Sequence, residues 1–149
     1  MRRHEILHAV LRVAGLGAAA TTGALIGFGV RRGAPVTVFA AAGDRLRGLP
    51  PFVAPDRSFG PSAILGLAHH LVLVAAWALL FALVVSRLRG AARAAVAVLV
   101  AGVAVTADAL LPAWLSLAAG VASAPQRALL AIAFSASLVM GMAFAQRKE

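Results

Sequence analysis

Residues 62–86 read SAILGLAHHLVLVAAWALLFALVVS, without a single Asp, Glu, Lys or Arg. As an α-helix rising about 1.5 Å per residue, this stretch reaches across the roughly 30 Å hydrocarbon core of a bilayer. A helix apolar on every side lies either in the core of a large protein or in lipid. A chain of 149 residues has no core of that size, so the sequence points to lipid.

The same reading extends outward to Ala94–Trp114, Ala128–Ala145 and the more glycine-rich Val13–Val30. The expectation is an all-α integral membrane fold: a four-transmembrane-helix bundle with spans at about 10–30, 62–86, 94–114 and 126–145. Residues 1–149 form a single polytopic domain in this reading. Composition agrees, because 62% of residues are hydrophobic and 13% are charged, whereas soluble domains carry about 25% charged residues.

The formal net charge of +9 would suggest nucleic acid in a soluble protein. Here the arginines flank the apolar stretches, where lipid phosphates are the nearest anions. No basic run interleaves with aromatics, so the partner expected is the bilayer and not nucleic acid. The chain has no cysteine, which excludes disulfides and thiolate metal sites. Arg2 and Arg3 precede an apolar stretch as in a signal peptide, but Glu5, His8 and Arg12 intrude, so a retained anchor is expected.

Residues 31–61 form the one long connection, holding all of the seven prolines except Pro112 and Pro125. Pro35 is expected to open a short helix with Val36, Phe39, Ala40 and Leu46 on one side. Thr37, Asp44, Arg45 and Arg47 fall opposite, a pattern suited to the head-group layer. Leu49–Pro61 is expected as a folded-back loop anchored by Phe52 and Phe59. Counting cations near span ends sets Arg2, Arg3, Arg12, Arg87, Arg89, Arg93, Arg147 and Lys148 against Arg31, Arg32, Arg45, Arg47, Arg57 and Arg127. The positive-inside rule then places both termini in the cytoplasm. The overall pattern loosely resembles that of small polytopic proteins of bacterial membranes, which implies the bacterial cytoplasmic membrane.

Span 1 carries Gly15, Ala19, Gly23 and Gly27, a small residue every four positions and so on one helix face. Such a groove lets backbones approach in lipid, either inside the bundle or between two copies. Ala97, Ala101 and Ala104, and Ala133, Ser137, Gly141 and Ala145, repeat the spacing on spans 3 and 4.

Three constellations hold chemistry. Asp108 lies about 9 Å inside the outer end of span 3, where a carboxylate is costly and usually faces the bundle interior or a wet cavity. His69 and His70 fall near the same depth, so a His–Asp108 pair that passes protons is one expectation. Interfacial histidines bonded to water and head groups are the other. His4-Glu5-Ile6-Leu7-His8 matches H-E-x-x-H, in which two histidines hold zinc and the Glu acts as base. It superficially resembles the motif of intramembrane zinc proteases over those five residues, but Asp108 is the available third ligand and Ala109 replaces the glycine expected after it.

Three functions follow, in order of expectation. The first is a non-catalytic accessory or scaffold subunit, either homo-oligomeric or within a larger membrane complex and without cofactor. The second is a small proton-linked transporter using Asp108 with His69 or His70. The third is a zinc metallopeptidase using His4, Glu5 and His8.

Overall fold

The computed structural model describes residues 3–49, 60–85, 88–117 and 121–146, with side chains at 3–6, 107–109 and 144–146 outside that description. The described residues are all helical with no strand: α1 (Arg3–Val30), α2 (Thr37–Leu46), α3 (Pro61–Val85), α4 (Gly90–Leu110) and α5 (Ala124–Gln146), with a 3₁₀ turn at Ala113–Leu115. Three helices carry stretches long and apolar enough to cross a membrane, at Leu7–Val30, Pro61–Val85 and Ala124–Ala143. The apolar part of α4, Gly90–Thr106, is shorter.

Large apolar side chains face outward as well as inward, and small residues are prominent among the buried ones. Leu71, Val72, Leu79, Leu83, Val98, Leu99 and Ile132 are exposed, while Ala63, Ala78, Ala97, Ala101, Ala104, Thr21, His70, Ser116 and Ser137 are buried. An apolar exterior of that extent would aggregate in water. In lipid it meets a matched solvent, and small interior residues bring the helices close. The chain is thus compatible with an integral membrane protein.

Helix α1 packs on both α3 and α5, α4 packs mainly on α5, and α3 touches α4 sparsely. A Cβ added at Gly17 would meet Val74 of α3 at 3.1 Å and Phe134 of α5 at 3.2 Å. Val13 lies against Gly141, and Thr21 against His70. Ascending numbers on α1 therefore meet descending numbers on both neighbours, making α1 antiparallel to each.

The reversal after α1 follows from local chemistry. Ala34 N donates to Gly29 O and Gly33 N to Val30 O, with Gly33 at φ +68°. This is a Schellman ending, in which the left-handed position favours glycine. Gly48, at φ +72°, closes α2 in the same way, with Leu49 N donating to Asp44 O. At the start of α5, Gln126 Oε1 accepts from both the backbone N and the Oγ of Ser123 at 2.8 Å. That is a capping box written as S-x-x-Q.

Helix α2 lies where the sequence indicated, but not as a helix merely resting on the head-group layer. Val38, Phe39, Ala40, Ala42 and Gly43 are buried, and the helix packs extensively on α3. The reason is a pair of glycines. A Cβ at Gly43 would collide with the carbonyl of Ser62, and one at Gly66 would collide with the carbonyl of Phe39 and reach 2.9 Å from Gly43 N. The two backbones touch without intervening side chains. Ser62 Oγ donates to Asp44 Oδ1 at 2.5 Å, and Arg47 Nη1 donates to Ser62 Oγ at 3.1 Å, closing the corner.

Two further expectations change. Helix α4 ends at Leu110 rather than running to Trp114, because Pro112 lacks an N–H and disfavours helix in the residue before it. The small-residue stripe of α1 does not pack inside the chain: Gly15, Ala19, Gly23 and Gly27 are exposed, with nothing within 4 Å of a Cβ at Gly15, Gly23 or Gly27. The buried face of α1 is turned well away from that stripe and carries Ala9, Val13, Gly17, Thr21 and Leu25. Arg93, expected in the basic turn, is buried and donates to Leu88 O. The expected anchors Phe52 and Phe59 lie outside the described residues.

Gly66→Ala is expected to destabilise the protein by about 3 kcal/mol or more, since the methyl meets immovable backbone. Gly102→Ala, on an open helix face, should be neutral or slightly stabilising. Reversible unfolding in mixed micelles separates the two.

Candidate functional site

Pro112 forces the chain out of α4, and backbone groups released from a helix within a membrane protein need new partners. Two of those groups find adjacent histidines on α3. His69 Nε2 donates to Trp114 O at 3.1 Å, and His70 Nδ1 donates to Leu117 O at 2.8 Å. Carbonyls only accept, so the two contacts set the tautomers. His69 carries its proton on Nε2, and His70 carries one on Nδ1. Neighbouring residues of one helix thus hold opposite tautomers because each faces a carbonyl with a different nitrogen.

His70 forms the centre of the arrangement. It is fully buried, as are Thr21, Ser116 and Leu117. Its Nε2 lies 2.9 Å from Thr21 Oγ1, which is itself 2.7 Å from Gly17 O. Phe39 of α2 presents an edge to the imidazole, with centroids 5.8 Å apart and planes at 64°. One ring therefore touches α1, α2, the α4–α5 connection and its own helix.

The Thr21 hydroxyl has one proton and two possible acceptors. With His70 neutral, that proton goes to Nε2, while Gly17 O keeps the backbone hydrogen bond of the helix. With His70 doubly protonated, Nε2 donates to Thr21 Oγ1 and the hydroxyl turns to Gly17 O. Rotation of one hydroxyl is thus enough to complement either a bare or a protonated Nε2.

His69 is less enclosed. Its Nδ1 is buried with no hydrogen-bond partner, and its ring sits at the edge of the connection beside exposed Trp114. Loop carbonyls are the partners of both histidines within the chain.

Asp108 belongs to the last turn of α4 by backbone, but its side chain lies outside the described residues, as do those of His4 and Glu5. His8 is exposed on α1. Among the described residues no three His, Cys, Asp or Glu side chains converge as a metal site.

Sequence reasoning singled out His69 and His70 but missed what they hold. Thr21, a polar residue in an otherwise apolar span, was the available signal for the second partner. The carbonyls of Trp114 and Leu117 have no side-chain signature, although Pro112 marks where unpaired carbonyls begin.

The architecture is that of an all-helical chain with three helices long and apolar enough to cross a membrane, joined at one end through His70. Comparison with protein-family models, with curated proteins and with solved structures gives no match.

His70→Ala is expected to cost about 2–4 kcal/mol, combining a cavity with the buried carbonyl of Leu117, which loses its donor, while the Thr21 hydroxyl keeps Gly17 O. His69→Ala should cost about 1 kcal/mol or less, in keeping with one peripheral hydrogen bond. Thermal unfolding of both variants in the same detergent gives the order.

Proposed function

We propose that this chain is a four-span membrane protein with both termini cytoplasmic, acting as a non-catalytic subunit that assembles with copies of itself. The observation that carries the reading is the outward stripe of Gly15, Ala19, Gly23 and Gly27 on α1. A second helix can approach that backbone closely, and in lipid such packing supplies much of the association energy. Helix α4 is taken as the fourth span on its length, since Gly90–Leu110 has 21 residues and extends about 32 Å. The histidines fit this reading as structural parts, because both hold the connection that follows α4.

The lack of native cysteine makes a direct test possible. Ala19→Cys, oxidised in native membranes, is expected to give a disulfide-linked dimer, whereas Leu71→Cys on the exposed side of α3 should not. Adding Gly23→Leu to the Ala19→Cys chain should lower the cross-linked fraction about tenfold, a loss near 1.4 kcal/mol. Equal cross-linking at both positions, or none at either, rejects the α1 interface.

A second reading, a proton-linked carrier, draws on one observation: His70 is an ionisable side chain fully buried in the bundle. Intramembrane ionisable residues commonly mark ion pathways. In that reading Asp108 works with His70, and Asp108→Asn abolishes proton uptake by reconstituted vesicles while leaving the dimer intact. A scaffold gives no uptake with either chain.

A further inference from the structure

The end of the bundle where α1 turns into α2 contains a cavity of about 270 Å³. Its walls come from the last turns of α1, the reversal, α2 and the start of α5. Most of the lining is apolar, with Leu25, Phe28, Val38 and Val121 prominent. Two lining side chains bring hydrogen-bond donors.

The first is Arg32, whose guanidinium stands over the Phe28 ring at 4.5 Å from the centroid. Stacking fixes its plane while leaving the N–H edge available, the geometry with which arginine takes a phosphate through two bonds. The second is Gln126. Its Oε1 is committed to Ser123, and because the backbone N of Ser123 can only donate, the amide orientation is fixed. The Nε2 end remains as a donor at the cavity. Thr37 also lines the space, but its hydroxyl proton goes to Ala34 O at 3.1 Å. Among the described residues no carboxylate lines the cavity, and Asp44 is engaged by Ser62. The site therefore favours an anion.

The apolar walls narrow the class further. A free inorganic anion would meet Arg32 and Gln126 but leave the half-buried Phe28, Pro35 and Val121 facing water. An anion carrying a hydrocarbon chain satisfies both halves. The depth fits, because Arg31 and Arg32 terminate an apolar span at the level where lipid phosphates lie. Basic pockets between membrane helices take anionic head groups by the same logic.

We propose that this cavity binds one anionic phospholipid, with its phosphate on Arg32 and Gln126 and the first part of an acyl chain along Phe28, Pro35 and Val121. The bound lipid bridges α1, α2 and α5 at the end of the bundle where the histidine joint also lies.

Native mass spectrometry of the full chain in detergent, titrated with phosphatidylglycerol or phosphatidylcholine, tests the site. One phosphatidylglycerol per chain should be retained, at least tenfold more tightly than phosphatidylcholine. Arg32→Gln should lower retention about tenfold, and Ala41→Phe, which fills the cavity from α2, should do the same. Arg89→Gln, an exposed arginine in the α3–α4 turn, should leave it unchanged, and unfolding curves of all three variants verify their fold. Equal loss with Arg89→Gln means diffuse attraction to a basic surface and overturns the proposal. So does retention unaffected by both Arg32→Gln and Ala41→Phe. Displacement of the lipid by millimolar inorganic phosphate would show a site for the free anion and reject the amphiphile.

Discussion

A backbone carbonyl released from a helix inside a membrane protein must find a donor, and that constraint organises one end of this molecule. Pro112 ends α4 early, and the chain crosses to α5 through a 3₁₀ turn with carbonyls pointing away from any helical ladder. His70 takes up one of them at 2.8 Å. Because the same imidazole reaches Thr21 and packs against Phe39, satisfying a single carbonyl also fixes the rotation of α1 and the seat of α2. The ring is worth more than one hydrogen bond because its position is shared by four elements.

Away from that joint, the bundle is assembled without the usual driving force. Apolar burial gives helices in lipid little reason to associate, so closeness of packing decides. The chain achieves it in two ways. At the α2–α3 corner, Gly43 and Gly66 bring two backbones into direct contact. Along α1 and α5, Gly17 receives Phe134 and Val74, and Gly141 receives Val13, so each glycine on one helix forms the recess for a bulky residue on another. The sparse contact between α3 and α4 shows the converse. Sequence adjacency alone does not bring two helices together.

Much of this was legible in the sequence. Apolar length located the long helices, Pro35 with its following pattern located α2, and His69 and His70 stood out as polar residues near the outer end of an apolar stretch. What the sequence left open has physical causes. The face that α1 turns inward depended on a choice between two stripes of small residues offset by two positions. Gly17 and Thr21 won because His70 gives the hydroxyl a partner, while the Gly15–Gly27 stripe offers only smoothness. The termination of α4 was misplaced because Trp114 suggested an interface, yet the missing N–H of Pro112 acts earlier. The partners of the histidines were invisible because main-chain carbonyls leave no trace in residue identity.

The outward stripe of α1 and the joint at His70 sit on faces of one helix turned well away from each other, since two positions along an α-helix are about 200° of rotation. This couples packing inside the chain to packing outside it. Thr21 is buried against α3, while Ala19 and Gly23, two residues to either side, look outward. A rotation of α1 that loosened the Thr21–His70 pair would also turn the smooth stripe away from its present direction. The hydrogen bond consequently determines which surface the chain offers to a neighbour. A purely apolar contact at position 21 would lock α1 less sharply, because van der Waals packing tolerates small rotations and a hydrogen bond in a dry interior does not. A buried polar joint in an otherwise featureless Ala, Gly, Val and Leu bundle is, on this argument, how a helix that could present either of two similar faces is held to one.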